Sequence, residues 1–356
     1  SLSFATSQVR EILDAEGNTF LIQPYVQFRY RPAAQWTVSA GVHSMFLTLN
    51  NTGSIEPRVA VRYTLSDKTN FSAAYGLHSR IVPIGSYFTQ VRNGSNITLP
   101  NLDLKMIKAH HIVLAYDQML RQNLRLHVEA YYQRLFNVPV VPDLNRTYSY
   151  LNTIQGYATE ALVSEGTGTN RGIDISIEQF FDTGTFFILS GSIFNSTYEA
   201  LYDSRSFNTQ YNSRCTGTFI GGKEWRFKNG NALETGLKLL FNAGLPLTPL
   251  AANGNLSNPV QPPLDEANPF SERIPAYFRP DLRIAYRKNN SKAAWWIALD
   301  VQNFIGRENE LNNFFSAGQG RIRTTRQRGF FRMCGIRFCF KKERADCIQY
   351  IFWFFE

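Results

Sequence analysis

The feature that most constrains this chain is the alternation of apolar and polar side chains along segments of about ten residues. In the string NLRLHVEAYYQ, residues 123–133, leucine, valine and alanine alternate with arginine, histidine and glutamate. Because successive side chains of a strand point to opposite faces of the sheet, a period of two is the signature of a β-strand. The sequence therefore predicts an all-β protein.

The same pattern predicts about thirteen strands, and the connections between them are alternately short and long. The predicted strands cover residues 19–30, 36–49, 55–65, 70–80, 106–117, 123–136, 171–181, 185–198, 216–227, 232–245, 278–287, 293–305 and 326–340. The short connections are 31–35, 66–70, 119–122, 182–184, 228–231 and 288–292, and the long ones are 81–105, 138–170, 199–215, 246–277 and 306–325, with a smaller loop at 50–54. Short turns on one side and long loops on the other are typical of an antiparallel transmembrane β-barrel.

Strand length and aromatic content favour a membrane barrel over a soluble sandwich, whose strands also alternate. The predicted strands match the roughly nine to eleven residues that cross a bilayer at a tilt, whereas soluble strands are usually shorter. Phenylalanine, tryptophan and tyrosine make up 14% of the chain, and they gather near strand ends, where amphipathic rings meet the membrane interface. The sequence has no apolar run long enough for a membrane-spanning helix.

The charged residues identify the strand face that turns away from lipid. The net charge is +9, but the arginines are spread singly over the strands, which argues against nucleic-acid binding. An arginine turned toward lipid costs about 2 to 4 kcal/mol at the bilayer midplane. We therefore predict that the barrel lumen is lined by Arg29, Arg58, Arg62, Arg125, Glu129 and Arg283.

The long connection over residues 138–170 is the predicted ligand-binding surface. Arg146, Tyr148, Tyr150 and Tyr157 offer a cation and aromatic platforms, which suit sugars, siderophores or peptides alike. The alternative is that these tyrosines pack the loop against the rim of the barrel.

Motifs for catalysis and for metal binding are not recognisable in the sequence. It shows no ordered set of nucleophile, histidine and carboxylate, no Gly-rich phosphate loop and no C-x-x-C pair. His43, His78, His110 and His111 are interpreted as solvated lumen side chains, with ligand contacts or gating as the alternative. We expect no enzyme, no cofactor and no metal site.

Three strings resemble the TonB-dependent outer-membrane receptors. The segment from Gln23 to Arg80 contains the pieces QPY, AGVHS, SIEPRVAVRY and SAAYGLHSR, which are similar to the middle of that family's barrel. ALDVQNFIGREN, residues 298–309, is similar to the penultimate strand, and GFFRMCGIRFCF, residues 329–340, resembles the final strand. The strings occur in the order in which the family has them.

The resemblance implies a barrel of about 22 strands with a plugged lumen. It assigns residues 1–340 to the C-terminal part of this barrel, and it places the plug and the TonB box upstream of the residues given. Residues 341–356, KKERADCIQYIFWFFE, are then an atypical C-terminal extension.

The implied function is that of a fragment of an outer-membrane active transporter. Such a receptor captures and imports a scarce ligand, which the sequence leaves open among siderophores, glycans, peptides and cofactors. Its partners are the lipid of the outer membrane and the TonB complex, which it contacts through the plug; the resemblance also admits a surface lipoprotein. The alternative is a passive, porin-like channel of the outer membrane.

Overall fold

The structure is a computed structural model that describes residues 16–153, 156–251, 264–289, 293–316, 321–327, 329–340 and 347–354. Parts of the predicted loop 246–277 and of the predicted turn 288–292 lie outside these residues. Within the described ranges, no helix has the length and apolar character needed to cross a membrane.

The described elements are β-strands and two short 3-10 helices. The first eleven strands are β1 (Leu21–Ile22), β2 (Tyr25–Ala33), β3 (Trp36–Leu47), β4 (Thr52–Ser66), β5 (Thr69–Arg80), β6 (Val91–Asn93), β7 (Asn96–Thr98), β8 (Ile107–Arg121), β9 (Leu124–Val140), β10 (Val163–Asp182) and β11 (Thr185–Glu199). The others are β12 (Ser206–Asn208), β13 (Cys215–Arg226), β14 (Ala232–Asn242), β15 (Pro246–Leu247), β16 (Glu272–Arg273), β17 (Tyr277–Asn289), β18 (Ala293–Gln302), β19 (Glu310–Ser316), β20 (Arg321–Arg326), β21 (Phe331–Phe340) and β22 (Cys347–Phe354). The 3-10 helices are Ile84–Phe88 and Tyr150–Asn152.

The long strands form one antiparallel sheet in chain order. Its hydrogen-bonded path is β1, β3, β4, β5, β8, β9, β10, β11, β13, β14, β17, β18, β21 and β22, with β2 on β3 and β12 on β11. Because β1 and β2 pair with successive parts of β3, they share one position in the sheet. The remaining short strands form three small two-stranded sheets in the long connections. The predicted all-β, antiparallel architecture is confirmed.

Every predicted strand has a counterpart in this sheet, and two differences are informative. Strand β10 begins at Val163, well before the predicted residue 171, because Ser164 and Gly166 continue the pairing with β9 across bulges. The glycine-rich sequence of this segment hides its strand character. Strand β22 pairs with β21, so the predicted C-terminal extension contributes a strand to the edge of the sheet.

Cross-strand register separates the side chains into two faces. Val128 lies opposite Tyr116 on one side and Ile175 on the other. The preceding residue, His127, lies opposite Asp117 and Ser176. We call the large sheet the wall. The surface that carries Val128 is its apolar face, and the surface that carries His127 is its polar face.

A two-residue turn shows how the short connections are made. Thr183 and Gly184 join β10 to β11 with φ angles of 48° and 80°, as the favoured tight hairpin turns require. A Cβ on Gly184 would lie 2.3 Å from the carbonyl oxygen of Glu224. Glycine therefore serves both the turn and its contact with the neighbouring strand.

A cluster of buried hydrophobic residues lies at the long-loop end of the sheet. It joins the C-terminal end of β3 and the N-terminal end of β8 to the connections 81–106 and 138–162. We call this cluster the cap core; its members are Met45, Leu47, Val82, Tyr87, Leu104, Met106, Ile107, Val138, Val141, Tyr150, Ala158 and Leu162. The cap, formed by these loops, thus packs as the interior of a soluble protein does.

Candidate functional site: the cap and the polar face

Buried polar side chains hold the two cap loops together. The amide nitrogen of Asn101, a fully buried residue, donates to the carbonyl oxygen of Glu160 at 2.9 Å, and its amide oxygen accepts from the Leu162 N–H at 2.8 Å. The hydroxyl of Ser86, also fully buried, accepts from the Ala158 N–H at 2.9 Å. Since an unpaired buried polar group is costly, these bonds favour one arrangement of the loops.

Arg146 links the cap to a further long connection. Its guanidinium contacts the carboxylates of Glu160 and Glu266, and its Nε donates to Glu266 at 3.0 Å. The hydrogen bonds with Glu160 raise the pKa of Arg146 above its ordinary value. The hydroxyl of Thr147 donates to the carbonyl oxygen of Glu266 at 2.7 Å. The connection that contains Glu266 is therefore tied to the cap.

The tyrosines predicted to bind ligand occupy different environments. Tyr150 belongs to the cap core and donates its hydroxyl hydrogen to the carbonyl oxygen of Gly156 at 3.2 Å. Tyr148 packs against the same core and bonds the hydroxyl of Thr153. Burial raises the pKa of both phenols. Tyr157, by contrast, is exposed, so it presents its ring to solvent.

The residues predicted to line the lumen share the polar face of the wall. Arg58 and Arg62 lie on the same side of β4. Ser39 of β3 lies on this side as well, and it is paired with Arg29 of β2. The cross-strand pairs, followed through Asp117 and Asp174 to the far strands of the sheet, place the other residues predicted to line the lumen on the same face. These residues are Arg125, Glu129 and Arg283.

Ion pairs neutralise much of the charge on this face. Arg125 contacts the carboxylate of Asp117 and lies 3.7 Å from that of Glu178. Arg283 lies 2.7 Å from a carboxylate oxygen of Asp300 on the next strand. These pairs connect neighbouring strands, so the charges stabilise the register in addition to facing water.

A histidine cluster lies on the polar face near the cap, and we define it as His43, Glu56, Arg58, His78 and His111. The Glu56 carboxylate is 2.9 Å from Nδ1 of His43 and 2.8 Å from a guanidinium nitrogen of Arg58. The rings of His78 and His111 are 6.0 Å apart between centroids. The alternation places each residue on the polar face, but only the strand register brings the five together.

His110 differs from the sequence-based interpretation. Because its neighbour His111 is on the polar face, His110 lies on the apolar face, where its ring stacks on Phe136. Its Nδ1 is 2.9 Å from the hydroxyl of Tyr75. His110 thus belongs to an aromatic group near the strand ends, and not to the lumen set.

The arrangement offers binding groups of several kinds. The cap presents an exposed aromatic ring, and the polar face presents guanidinium and imidazole groups. Among the residues that the structure describes, no group of three or more histidine, cysteine, aspartate or glutamate side chains is placed to hold a metal ion.

Comparison with known proteins gives a family and a fold. The sequence model described as TonB dependent receptor-like, beta-barrel, matches residues 7–304. Among the curated protein sequences, none matches the chain.

Solved structures of receptors share the fold at low sequence identity. The ferripyoverdine receptor of the outer membrane of Pseudomonas aeruginosa is 14% identical with a TM-score of 0.64, over 94% of this chain and 39% of the receptor. The ferric-catecholate import receptor Fiu of Escherichia coli K12 is 12% identical with a TM-score of 0.61, over 93% of this chain and 45% of the receptor. The ferric yersiniabactin uptake receptor FyuA of Yersinia pestis is 11% identical with a TM-score of 0.61, over 93% and 46%. The chain therefore spans less than half the length of these receptors.

Proposed function

The chain belongs to the TonB-dependent receptor-like β-barrel family, and from this we propose that it forms part of an active transporter that captures and imports a scarce ligand. Members of this family are outer-membrane proteins, and the chain is located in the outer membrane. The transport activity, the ligand and the partners are proposed for the whole protein.

The observation that carries the proposal is the sidedness of the wall. On the apolar face Leu114 is 57% exposed and Ile193 is 70% exposed. Leaving such side chains in water forfeits roughly 25 cal/mol for each Å² of apolar surface. Lipid removes this cost, so the apolar face is suited to the membrane and the polar face to a lumen.

In this arrangement the proposed lumen contains the charged set that includes Arg58, Arg125 and Arg283. The cap lies at the end of the wall that carries the long connections, where receptors of this family bind their ligands. The exposed ring of Tyr157 is a candidate contact there, and Arg146 supports the loops through its two carboxylate partners.

The proposed transporter includes more than the described sheet. Strand β2 is exposed along its whole length, and a strand edge in lipid leaves backbone groups without partners at a cost of several kcal/mol each. We propose that further barrel strands cover this edge, and that a plug and the TonB complex supply gating and energy.

Ferric chelates are the first ligand class to test. The structures compared above are named as receptors for ferripyoverdine, ferric catecholate and ferric yersiniabactin. Their low identity with this chain supports the fold alone, so glycans, peptides and cofactors stay in the panel of ligands.

Uptake measurements test the proposal. Cells that produce the protein should take up a labelled ligand of the panel with saturation kinetics, and the uptake should stop when the TonB gene is deleted. A control strain without the protein gives the background. Uptake that rises linearly with ligand concentration and continues without TonB would contradict the proposal and support a passive channel.

A further inference from the structure

The histidine cluster borders a recess on the polar face of the wall. The recess has a volume of about 510 Å³, and its lining includes Gln27, His43, Arg58, His78 and His111. Small-molecule pockets have volumes of about 300 to 1,000 Å³. Met45 and Ile107 of the cap core belong to the same strands as His43 and His111, so the recess lies where the cap joins the wall.

Two glycines flank Arg58 in the wall. Gly41 and Gly76 are the residues directly opposite Arg58 on the two neighbouring strands. A Cβ on Gly76 would lie 2.6 Å from Nε2 of His78, so the imidazole of His78 lies over this glycine. His111 is opposite Gly76 on the next strand. Arg58 and two imidazoles therefore face one space.

The exposed groups of the cluster are hydrogen-bond donors. The side chain of Glu56 is 1% exposed, whereas that of Arg58 is 46% exposed. The Glu56 carboxylate is already engaged, because it accepts from Ser54 at 3.0 Å and from Arg58 and contacts His43. A ligand in the recess thus meets guanidinium and imidazole N–H groups, while the carboxylate lies behind them.

We propose that the histidine cluster binds an oxyanionic group, a carboxylate or a phosphate, of a small ligand. Arg58 contacts the anion through its guanidinium, because N–H donors on a cation form strong hydrogen bonds with anionic oxygens. His78 and His111 donate imidazole N–H groups to the same anion. Glu56 is a positioning residue that orients Arg58 and His43. The inference rests on the proposed function, since the recess faces a lumen only in the transporter.

Calorimetric titration of the protein, purified from outer membranes in detergent, tests the inference with citrate and inorganic phosphate as probes. We expect binding of at least one probe, weakened about 10-fold or more by Arg58→Gln and by the double change His78→Gln with His111→Gln. Arg58→Lys, which keeps the charge but loses the planar fork, should have an intermediate affinity.

The matched control is Lys238→Gln, which removes a cation from the polar face on β14, away from the recess. Its affinity for the probe should stay within about twofold of the unchanged protein. An equal loss in Lys238→Gln and Arg58→Gln, or no binding of either probe at millimolar concentration, overturns the inference. TonB-dependent uptake that persists alongside such a result leaves the proposed function standing, whereas loss of uptake in the unchanged protein counts against that function itself.

Discussion

In the cap Tyr87 and Leu47 are fully buried, whereas on the wall the equally apolar Ile175 and Leu114 are 47% and 57% exposed. Both regions contain many hydrophobic residues, but only the cap turns them toward each other. The wall turns them outward, where lipid takes the place of a protein core. The comparison shows that the surrounding solvent, and not hydrophobicity alone, decides which side of a β-structure is apolar.

The polar groups of the two regions also differ in their surroundings. The cap satisfies buried neutral groups such as Asn101 and Ser86 with backbone hydrogen bonds. The wall carries arginines and carboxylates on one open face, where the pair Arg283 and Asp300 connects two strands. Cap and wall should therefore respond differently to substitution, pH and salt.

The largest expected effect is loss of the cap core. Tyr87→Ala removes a fully buried ring, and such changes cost about 3 to 5 kcal/mol. We expect the cap loops to become sensitive to trypsin in intact cells. Tyr202→Ala, at an exposed loop position, is the control and should leave the protection unchanged. If Tyr87→Ala also abolishes the heat-dependent gel shift of the folded barrel, cap and wall are not separate units.

A matched pair of neighbouring residues tests the wall. Ile175→Arg places a charge on the apolar face at a cost of about 2 to 4 kcal/mol near the midplane. Ser176→Arg places the same charge on the polar face, next to His127, and should be tolerated. The amount of protein that reaches the outer membrane in folded form measures both. Equal losses in the two variants would contradict the assignment of the faces.

A smaller effect is expected when a cap hydrogen-bond bridge is removed. Asn101→Ala leaves the Glu160 carbonyl and the Leu162 N–H without their partners, which costs about 1 to 3 kcal/mol. Hydrogen exchange of the cap amides should become faster. Asn96→Ala, on an exposed strand of the same connection, is the control; an equally fast exchange in that variant would show that the bridge has no special role.

The smallest effect is expected for the exposed part of the cap. Arg146→Gln breaks ion pairs with Glu160 and Glu266, in which all three side chains are partly exposed. Such pairs contribute about 0.2 to 1 kcal/mol, and salt screens them. Trypsin protection of the cap should fall slightly at low salt and match the unchanged protein at high salt. A large loss at both salt concentrations would show that Arg146 is part of the core.

The sequence allows prediction of the wall better than of the cap. Period-two alternation places Arg58 and Arg125 on the polar face without knowledge of any contact. The burial of Tyr150 in the cap core depends on two loops that are distant in sequence, so local pattern cannot reveal it. The same reason applies to the histidine cluster, because the position of His78 beside His111 follows from register between strands.

The strand boundaries show a further limit. Bulges around Ser164 and Gly166 extend β10 into a glycine-rich segment that local propensity reads as loop. Strand β22 lies in a segment that the family resemblance sets apart, and its pairing with β21 appears only in the sheet. Tertiary pairing therefore outweighs local preference at both places.

Cysteine labelling of intact cells is the most direct test of the central claim, which is that the wall spans the outer membrane with the cap outside. In a background where Cys215, Cys334, Cys339 and Cys347 are replaced by serine, Asn145→Cys reports on the cap and Thr183→Cys on a short turn. A membrane-impermeant maleimide should label Asn145→Cys in intact cells and Thr183→Cys only after the outer membrane is broken. Labelling of Thr183→Cys in intact cells, or none of Asn145→Cys, would contradict the account.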